Sequence, residues 1–454
     1  MNPIICQVSI TSHLQSPLIA LSRSLMEQFR ISKGQTIKVG FGKKSVETRV
    51  IPNKSPDGKI NVSRSLAQSL SLPFSGKLLV TFQDRRLRIG PVIGILTTGF
   101  TGNDSKPFGT RSRLFSYFTS AGSALYPCMY VFTPNMIDWQ RKVIQGWHYQ
   151  NSSWSKKTFP FPDVIHERSP NRKAETLYSI GSTVNRLRKA AQIPIFNQGF
   201  FNKWTIHQHL SSHPKANPYI PETVLAPSLS TLQRMMDQYS MVYLKPARGS
   251  LGLGIFKVTR HPQKGYNCRF NQGKKSFVHR FPSLSKLITH FFGRGGGRFQ
   301  GYLAQQGIHL IKVKDNPVDF RVHLHKDYTG KWKVVAVGSK AAGSGSVTTH
   351  MRTGGSVIPT EDLFRVTFGD DSQRIKNQLE KASITIAESL EKQLQEPLGE
   401  LGLDMGIDQN RKIWMFESNS KPGRHIFLHP SLKDAGRKSA RCITEYSLKL
   451  AEFI

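Results

Sequence analysis

Leu403-Asp404-Met405-Gly406-Ile407-Asp408-Gln409-Asn410-Arg411-Lys412-Ile413-Trp414-Met415-Phe416-Glu417-Ser418-Asn419-Ser420-Lys421-Pro422-Gly423 is the stretch from which the fold is read. Two short apolar runs flank a polar turn, Asp408-Gln409-Asn410-Arg411, which is the pattern of a β-hairpin. Side chains alternate along a strand, so Glu417 and Asn419 face the same way. Across the hairpin Asp404 is expected beside them. Two carboxylates and an amide oxygen on a rigid hairpin suit Mg²⁺, a hard cation that takes a few carboxylates and fills its octahedron with water and phosphate oxygens. The alternative is a polar hairpin whose acids face water. The apolar neighbours Trp414, Met415 and Phe416 weigh against it in a chain so short of acids.

The chain has 454 residues, with 64 Lys and Arg against 29 Asp and Glu, for a net charge of +35. That length suits about three domains. A hydrophobic fraction of 38% marks a globular chain able to bury a sizeable core. The charge implies an anionic substrate, partner or matrix. The basic residues run through the whole chain, and no RRM, KH or zinc-finger signature is present, which sets nucleic acid behind other anions. No apolar run reaches the roughly 20 residues of a membrane span. The N-terminus lacks a basic segment followed by a long apolar one, so no signal peptide is read. Cys6, Cys128, Cys268 and Cys442 lie far apart, fit neither a zinc nor a disulfide framework, and suggest a reducing, cytoplasmic setting.

Working outward from the hairpin, residues 1–88 hold an internal repeat. Ser22-Arg23-Ser24-Leu25 recurs as Ser63-Arg64-Ser65-Leu66, and Val39 and Phe41 recur at the same offset as Val80 and Phe82. Each half reads as strand, short helix, turn and strand. Neither half can bury its apolar face alone, so the two are expected to interlock as a β-rich barrel that resembles a double-psi or swapped-hairpin barrel. Residues 89–195 alternate strands with helices, as a small α/β domain with a parallel sheet does. Ile89–Thr97 reads as a buried strand. Ligands of such sheets sit beyond the carboxyl ends of strands. Arg168 and Arg172, leaving one such end, are candidates for holding an anionic substrate; the alternative is solvated surface arginines.

From residue 196 onward the chemistry thickens. Asn202-Lys203-Trp204 opens a helix after a glycine turn. Met241–Val258 reads as strand, Gly-rich turn and strand, with Lys245 at a strand end and Gly249, Ser250 and Gly252 in the turn. Glycines let backbone N–H groups approach a phosphate, although no Gly-Lys-Ser/Thr leads into a helix as a Walker A loop requires. Tyr302–Ile308 is a strand running into a linker. Asp319, Arg321 and His323 alternate with Phe320, Val322 and Leu324, a half-buried strand. Residues 372–397 and 435–454 read as helices. His207, His209 and His213 lack a fourth ligand pattern and are taken as structural or surface residues.

In this order the segments resemble the ATP-grasp superfamily and, more narrowly, the YheC/YheD family of endospore coat-associated proteins. The specific parts are Leu244-Lys245-Pro246, Asp319-Phe320-Arg321 and Glu417-Ser418-Asn419-Ser420-Lys421-Pro422-Gly423. The resemblance covers most of residues 89–430. It implies an α/β (α+β) ATP-grasp fold in two subdomains at 196–454, behind an α/β domain at 89–195 and a barrel at 1–88. It implies ATP between two sheets, with Lys203 and Lys245 on its phosphates and Gln305, Gln306 and Ile308 along the adenine edge. Arg321 is implied at the reacting phosphate end, and Asp404, Glu417 and Asn419 around Mg²⁺. The implied reaction is ligation of a carboxylate to an amine through an acyl phosphate, which needs positioning and charge neutralisation more than a general base. The acceptor is expected to be a carboxylate-bearing or anionic peptide or polymer, with spore-coat proteins as partners. The sequence departs from related ligases at Lys340, which stands where an arginine is usual, and at His350-Met351, which stand where Asn-Leu is usual. No acidic ribose contact is apparent beside Gln305. A nucleotide-binding scaffold of the spore coat without ligation is the competing reading.

Overall fold

In the computed structural model, residues 2–454 are described except 15–16, 54–56, 178, 248–252, 274, 296 and 343–355. The repeat in the first 88 residues folds as interlocked halves of one barrel. Strands β1 (Ile4–Thr11), β2 (Leu18–Ser22), β3 (Thr36–Phe41), β4 (Lys44–Asn53), β5 (Lys59–Ser63), β6 (Gly76–Gln83) and β7 (Arg86–Gly90) close in the order β1-β5-β2-β4-β3-β7-β6. Helices α1 (Arg23–Phe29) and α2 (Arg64–Leu70) follow β2 and β5. Both start on a serine cap, Ser22 accepting from the Leu25 N–H and Ser63 from that of Leu66; such a cap contributes about 1 kcal/mol. Both stop at a left-handed residue, Arg30 and Ser71, each with φ of 54°. The two equivalent strands β2 and β5 pair with each other across the halves.

The next unit contains β8 (Val92–Leu96), α3 (Ser112–Gly122), β9 (Cys128–Phe132), β10 (Ile137–Asp138), β11 (Val143–Gln150), β12 (Ser153–Pro160), β13 (Val164–Glu167), α4 (Arg172–Leu177), α5 (Ile180–Ala191) and β14 (Ile195–Phe196). Its sheet runs β10-β11-β9-β8-β13-β14, with β12 on β11. The parallel part expected from the sequence is β9-β8-β13-β14. The run Ile89–Thr97 is divided at Pro91: Gly90 ends the barrel and Val92 starts the new sheet, its N–H held by the Asp163 carboxylate at 2.8 Å. A proline has no N–H for the ladder, which suits it to the break.

The third unit has α6 (Lys203–Ser211), β15 (Thr223–Leu225), α7 (Leu229–Tyr239), β16 (Met241–Pro246), β17 (Phe256–Arg260), β18 (Tyr266–Gln272), β19 (Lys275–Phe281), α8 (Leu284–Phe292) and β20 (Tyr302–Gln306). Its antiparallel sheet runs β15-β20-β16-β17-β18-β19. One face is apolar: Val242, Leu244, Val258 and Cys268 pack with Leu232 and Met236 of α7 and Leu287 of α8.

The last unit holds β21 (Lys312–Val313), β22 (Asn316–Lys326), β23 (Trp332–Ala341), β24 (Ser356–Ile358), α9 (Thr360–Phe368), α10 (Ser372–Leu394), β25 (Glu400–Ile407), β26 (Ile413–Asn419) and α11 (Lys433–Leu450). Its sheet runs β24-β23-β22-β25-β26. Ile375, Leu379, Ile386 and Leu390 of α10 pack beneath Phe320, Val322, Leu401 and Leu403. Helix α11 bridges this sheet, where it lies against β22 and β23, and the units before it. Its Ala440, Ile443, Tyr446 and Leu448 join the apolar cluster that runs through the barrel and the parallel sheet, and it lies against α3.

Candidate active site

Cross-strand register builds the charged centre. On the last sheet Arg321 lies directly opposite Asp404, and Asp404 directly opposite Glu417. Two carboxylates facing each other across a ladder repel and destabilise the pair unless a cation stands between them. Here Arg321 grips Asp404 with two parallel bonds, Nε to Oδ1 at 2.8 Å and a terminal nitrogen to Oδ2 at 2.9 Å. Lys340 adds a third at 3.1 Å and also lies 3.6 Å from Asp319, its own cross-strand partner. Burial opposes the charge on Asp404, but Arg321 and Lys340 outweigh it and hold the carboxyl well below its usual range. The same pair raises Arg321 against its own burial. Glu417 is held from a different element: Lys203 Nζ donates to it at 3.0 Å. Lys203 is the first residue of α6, whose start is fixed by the Asn202 side chain accepting the Trp204 and Thr205 N–H groups at 2.9 and 3.3 Å.

A cavity of about 460 Å³ opens between this sheet and the polar face of the β15–β20 sheet. Lys203, Lys245, Gln305, Gln306, Ile308, Arg321, Asp404 and Glu417 all line it, so eight of the residues singled out in the sequence converge. Lys245 points in from β16, donating to Gln305 Oε1. Burial and the nearby Lys203 lower its ammonium to about 8, so an anion brought alongside would be welcomed by a group short of counter-charge. Gln305 also donates to Thr223 Oγ1 at 3.0 Å, and Gln306 accepts the Glu222 N–H at 3.2 Å. Asn419 follows Glu417 by two residues on β26, opposite Gly402. Gly249, Ser250 and Gly252 lie outside the described residues, as does His350-Met351. The cavity also takes in Lys257, Arg269, Lys312, Asp319 and Lys340. Of these the sequence had marked only Asp319, as part of a motif, and Lys340, as a departure; the rest depend on strand register, which the chain alone does not announce.

Arg168 and Arg172 were expected to hold an anionic substrate; the structure gives both other work. Arg168 is buried, 3.4 Å from Glu400 Oε1 and donating to the Pro422 carbonyl at 2.7 Å. Arg172 donates to the Phe200 and Phe201 carbonyls. Neither lines the cavity. They belong to a set of bonds that fixes the segment following Asn419. Lys421 forms a fully buried pair with Glu167 and meets Glu175 at 3.0 Å. Asn197 Nδ2 donates to the Glu400 and Ser420 carbonyls at 2.7 and 2.6 Å, and its Oδ1 accepts the Gly399 and Glu400 N–H groups at 2.8 and 3.0 Å. At Gly402 a Cβ would meet Pro422 at 2.5 Å and the Arg321 guanidinium at 3.1 Å, so glycine is what lets the segment cross here. Asn197 was not foreseen: nothing in Phe196-Asn197-Gln198 distinguishes it from a loop asparagine. Two of the three histidines have partners of their own. His207 touches the cavity wall but stacks on Trp204 and bonds Ser211, and His213 meets Ser389 at 3.2 Å.

A family model for the YheC/D-like ATP-grasp domain matches residues 192–450. The chain belongs to the YheC/D-like ATP-grasp family. It is 35% identical over 419 residues to the endospore coat-associated protein YheD of Bacillus subtilis strain 168, covering 92% of this chain and 91% of the relative. It is 26% identical over 312 residues to the coat-associated protein YheC of the same organism, covering 66% of this chain and 82% of the relative. Among solved structures it is similar to the VanG D-Ala:D-Ser ligase of Enterococcus faecalis, at 12% identity and a TM-score of 0.46 over 80% of this chain and 99% of that one. As a YheC/D-like ATP-grasp protein it has the fold that the hairpin at 403–419 implied. No helix among the described residues is long and apolar enough to cross a membrane.

Whether the donor set suits a divalent cation can be tested on the residues themselves. Among the described residues no group of three or more His, Cys, Asp or Glu side chains is placed to hold a metal. Asp404 and Glu417, which line the cavity, could offer two carboxylates to a cation; Asn419, the third donor expected, is not among the lining residues. That set is too sparse for a closed metal cage and fits Mg²⁺, which keeps several positions for water and substrate phosphates.

Proposed function

We propose that this protein binds Mg-ATP in the cleft between its last two sheets and ligates a carboxylate to an amine through an acyl phosphate. The observation that carries the reading is the Asp404–Glu417 pair, set face to face at a cavity ringed by Lys203, Lys245, Arg321 and Lys340. Family membership supports it. Asp404, Glu417 and Asn419 would hold Mg²⁺, which neutralises phosphate charge when bound. Lys203 and Lys245 bind phosphate oxygens. Arg321, anchored on Asp404, presents its remaining N–H groups toward the reacting end. Gln305, Gln306 and Ile308 form the wall that takes the base. The chain's task is to bind, orient and neutralise, which this chemistry needs more than it needs a general base. The acceptor is a carboxylate-bearing peptide or polymer, and the setting is the cytoplasm with deposition in the spore coat, in keeping with the names of its relatives.

Calorimetry of ATP binding with and without Mg²⁺ tests this. Wild type should bind with Mg²⁺-enhanced affinity, and Asp404→Asn should lose roughly 100-fold. Affinity that ignores both Mg²⁺ and the substitution rejects the assignment. A second reading, a coat scaffold that binds nucleotide without turnover, is favoured by one observation: Arg321, Lys340 and Lys203 already satisfy both carboxylates. ADP release in the presence of a carboxylate and an amine separates the two.

A further inference from the structure

The second sheet has two unlike faces. Phe256, Phe270, Phe277 and Phe281 alternate onto the side that α7 and α8 cover. On the other side register aligns Thr223, Gln305, Tyr243, Lys257, Arg269 and Val278 across all six strands. The inner part of this row lines the nucleotide cavity. Its outer end passes beyond the cavity onto β19, where Arg280 lies opposite Asn267 in the neighbouring row. Charge here is one-sided. Residues 223–306 contain thirteen Lys and Arg and a single acid, Asp237, which is already paired with Arg260. Lys257 is lowered by burial and by the like charges of Arg269 and Lys312. Arg280 donates to the Lys264 carbonyl at 3.2 Å, a bond that leaves its charge uncompensated.

Strand β19 ends the sheet. Among the described residues no strand pairs with its outer edge, and Lys275 to Arg280 are exposed along its length, with Val278 48% exposed. An exposed edge is a template for another strand, and charge is the usual guard against the wrong one. Lys275 and Arg280 repel a second copy of this basic chain and admit an acidic strand. We infer that β19 and the cationic face behind it bind an extended acidic peptide, which adds a strand to the sheet and sets its carboxylates on Arg280 and Arg269. Strands lie about 4.8 Å apart, so an added strand stands about 10 Å from β18, a gap that a glutamate and an arginine side chain span together. Lys257 then continues the cationic path to the phosphates. A peptide fits better than nucleic acid. Side-chain alternation keeps the aromatics of β17–β19 off this face, and single-strand binding relies on aromatic stacking, whereas edge pairing is a peptide's mode of recognition. The inference rests on the ligase reading, for which it names the substrate class.

The test is fluorescence anisotropy of a labelled peptide of alternating glutamate and valine at low salt. The double variant Val278→Glu, Arg280→Glu should bind at least about tenfold more weakly than wild type. A control on the barrel, Ile5→Glu with Arg49→Glu, changes one exposed aliphatic residue and one exposed arginine by the same charges and should shift affinity less than about twofold. ATP affinity measured on the same β19 variant should stay at the wild-type value. Equal losses in both variants, no loss in the β19 variant, or equally strong competition by a single-stranded oligodeoxynucleotide of matched charge would each overturn the peptide site. Failure of wild type to bind ATP would instead overturn the nucleotide reading, whatever the peptide result.

Discussion

Two charged regions lie within a few residues of each other and obey different rules. In the cleft, Asp404 and Glu417 pair with Arg321, Lys340 and Lys203, and every one of these side chains keeps partial access to water. Behind it, where the parallel sheet meets the start of β25, Lys421 and Glu167 are paired with essentially no exposure. Glu400, His166, His323 and His325 are buried beside them. His325 Nε2 bonds Ser439 Oγ at 2.7 Å, and Arg424 meets the same hydroxyl at 2.8 Å. The same residue types thus serve opposite ends. Cations that keep some contact with water can leave a carboxylate when a phosphate or a metal arrives, because water and the ligand take over their bonds. Buried ones cannot leave, since a lone buried charge is far more costly than the pair. Exchange is expected in the first region and fixation in the second.

Breaking the buried pair should give the largest effect. Lys421→Met strands Glu167 in the interior and should destabilise the fold by about 3–5 kcal/mol in urea or guanidinium titrations. A loss no greater than that of a surface substitution would erase the contrast. Acid sharpens it next. His325 is lowered to about 3 by burial, and His323 and His166 are lowered too. The unfolded chain takes up these protons near pH 6.5 while the folded one refuses them. Stability is therefore complete above pH 6.5 and falls as the pH drops toward 3, by about 1.4 kcal/mol per pH unit for His325 alone. His325→Gln should flatten that slope in thermal melts run between pH 7 and 4. The smallest change in stability belongs to the cleft: Lys203→Met should cost about 1 kcal/mol, well below the buried pair, because Glu417 keeps contact with water, while weakening ATP binding in calorimetry. If it unfolded the protein, Lys203 would belong with the buried set.

The cleft was legible because its parts follow local periodicities. Alternation put Glu417 and Asn419 on one face, the polar turn at 408–411 brought Asp404 opposite, and Asn202 announced the helix that carries Lys203. The barrel was legible for a related reason, since Ser22 and Ser63 repeat a cap and each half needs the other. The buried region was not. Arg168 reads as a surface arginine because its partners, Glu400 and Pro422, lie more than two hundred residues away. The hairpin β11–β12 was missed as well: Val143–Gln150 and Ser153–Pro160 alternate weakly, and its turn, Asn151-Ser152, adopts positive φ at both residues without a glycine to signal it. Lys257 and Arg269 became visible only when the strand register aligned them with Tyr243.

Helix α11 packs against α3 and completes a core begun more than three hundred residues earlier. On the ribosome, Phe118, Ile165 and Phe196 emerge long before Ile443 and Tyr446 do. Until then the middle unit carries an open greasy seam, which nascent-chain chaperones would have to shield. A chain that stalls after the hairpin lacks α11 and leaves that seam uncovered.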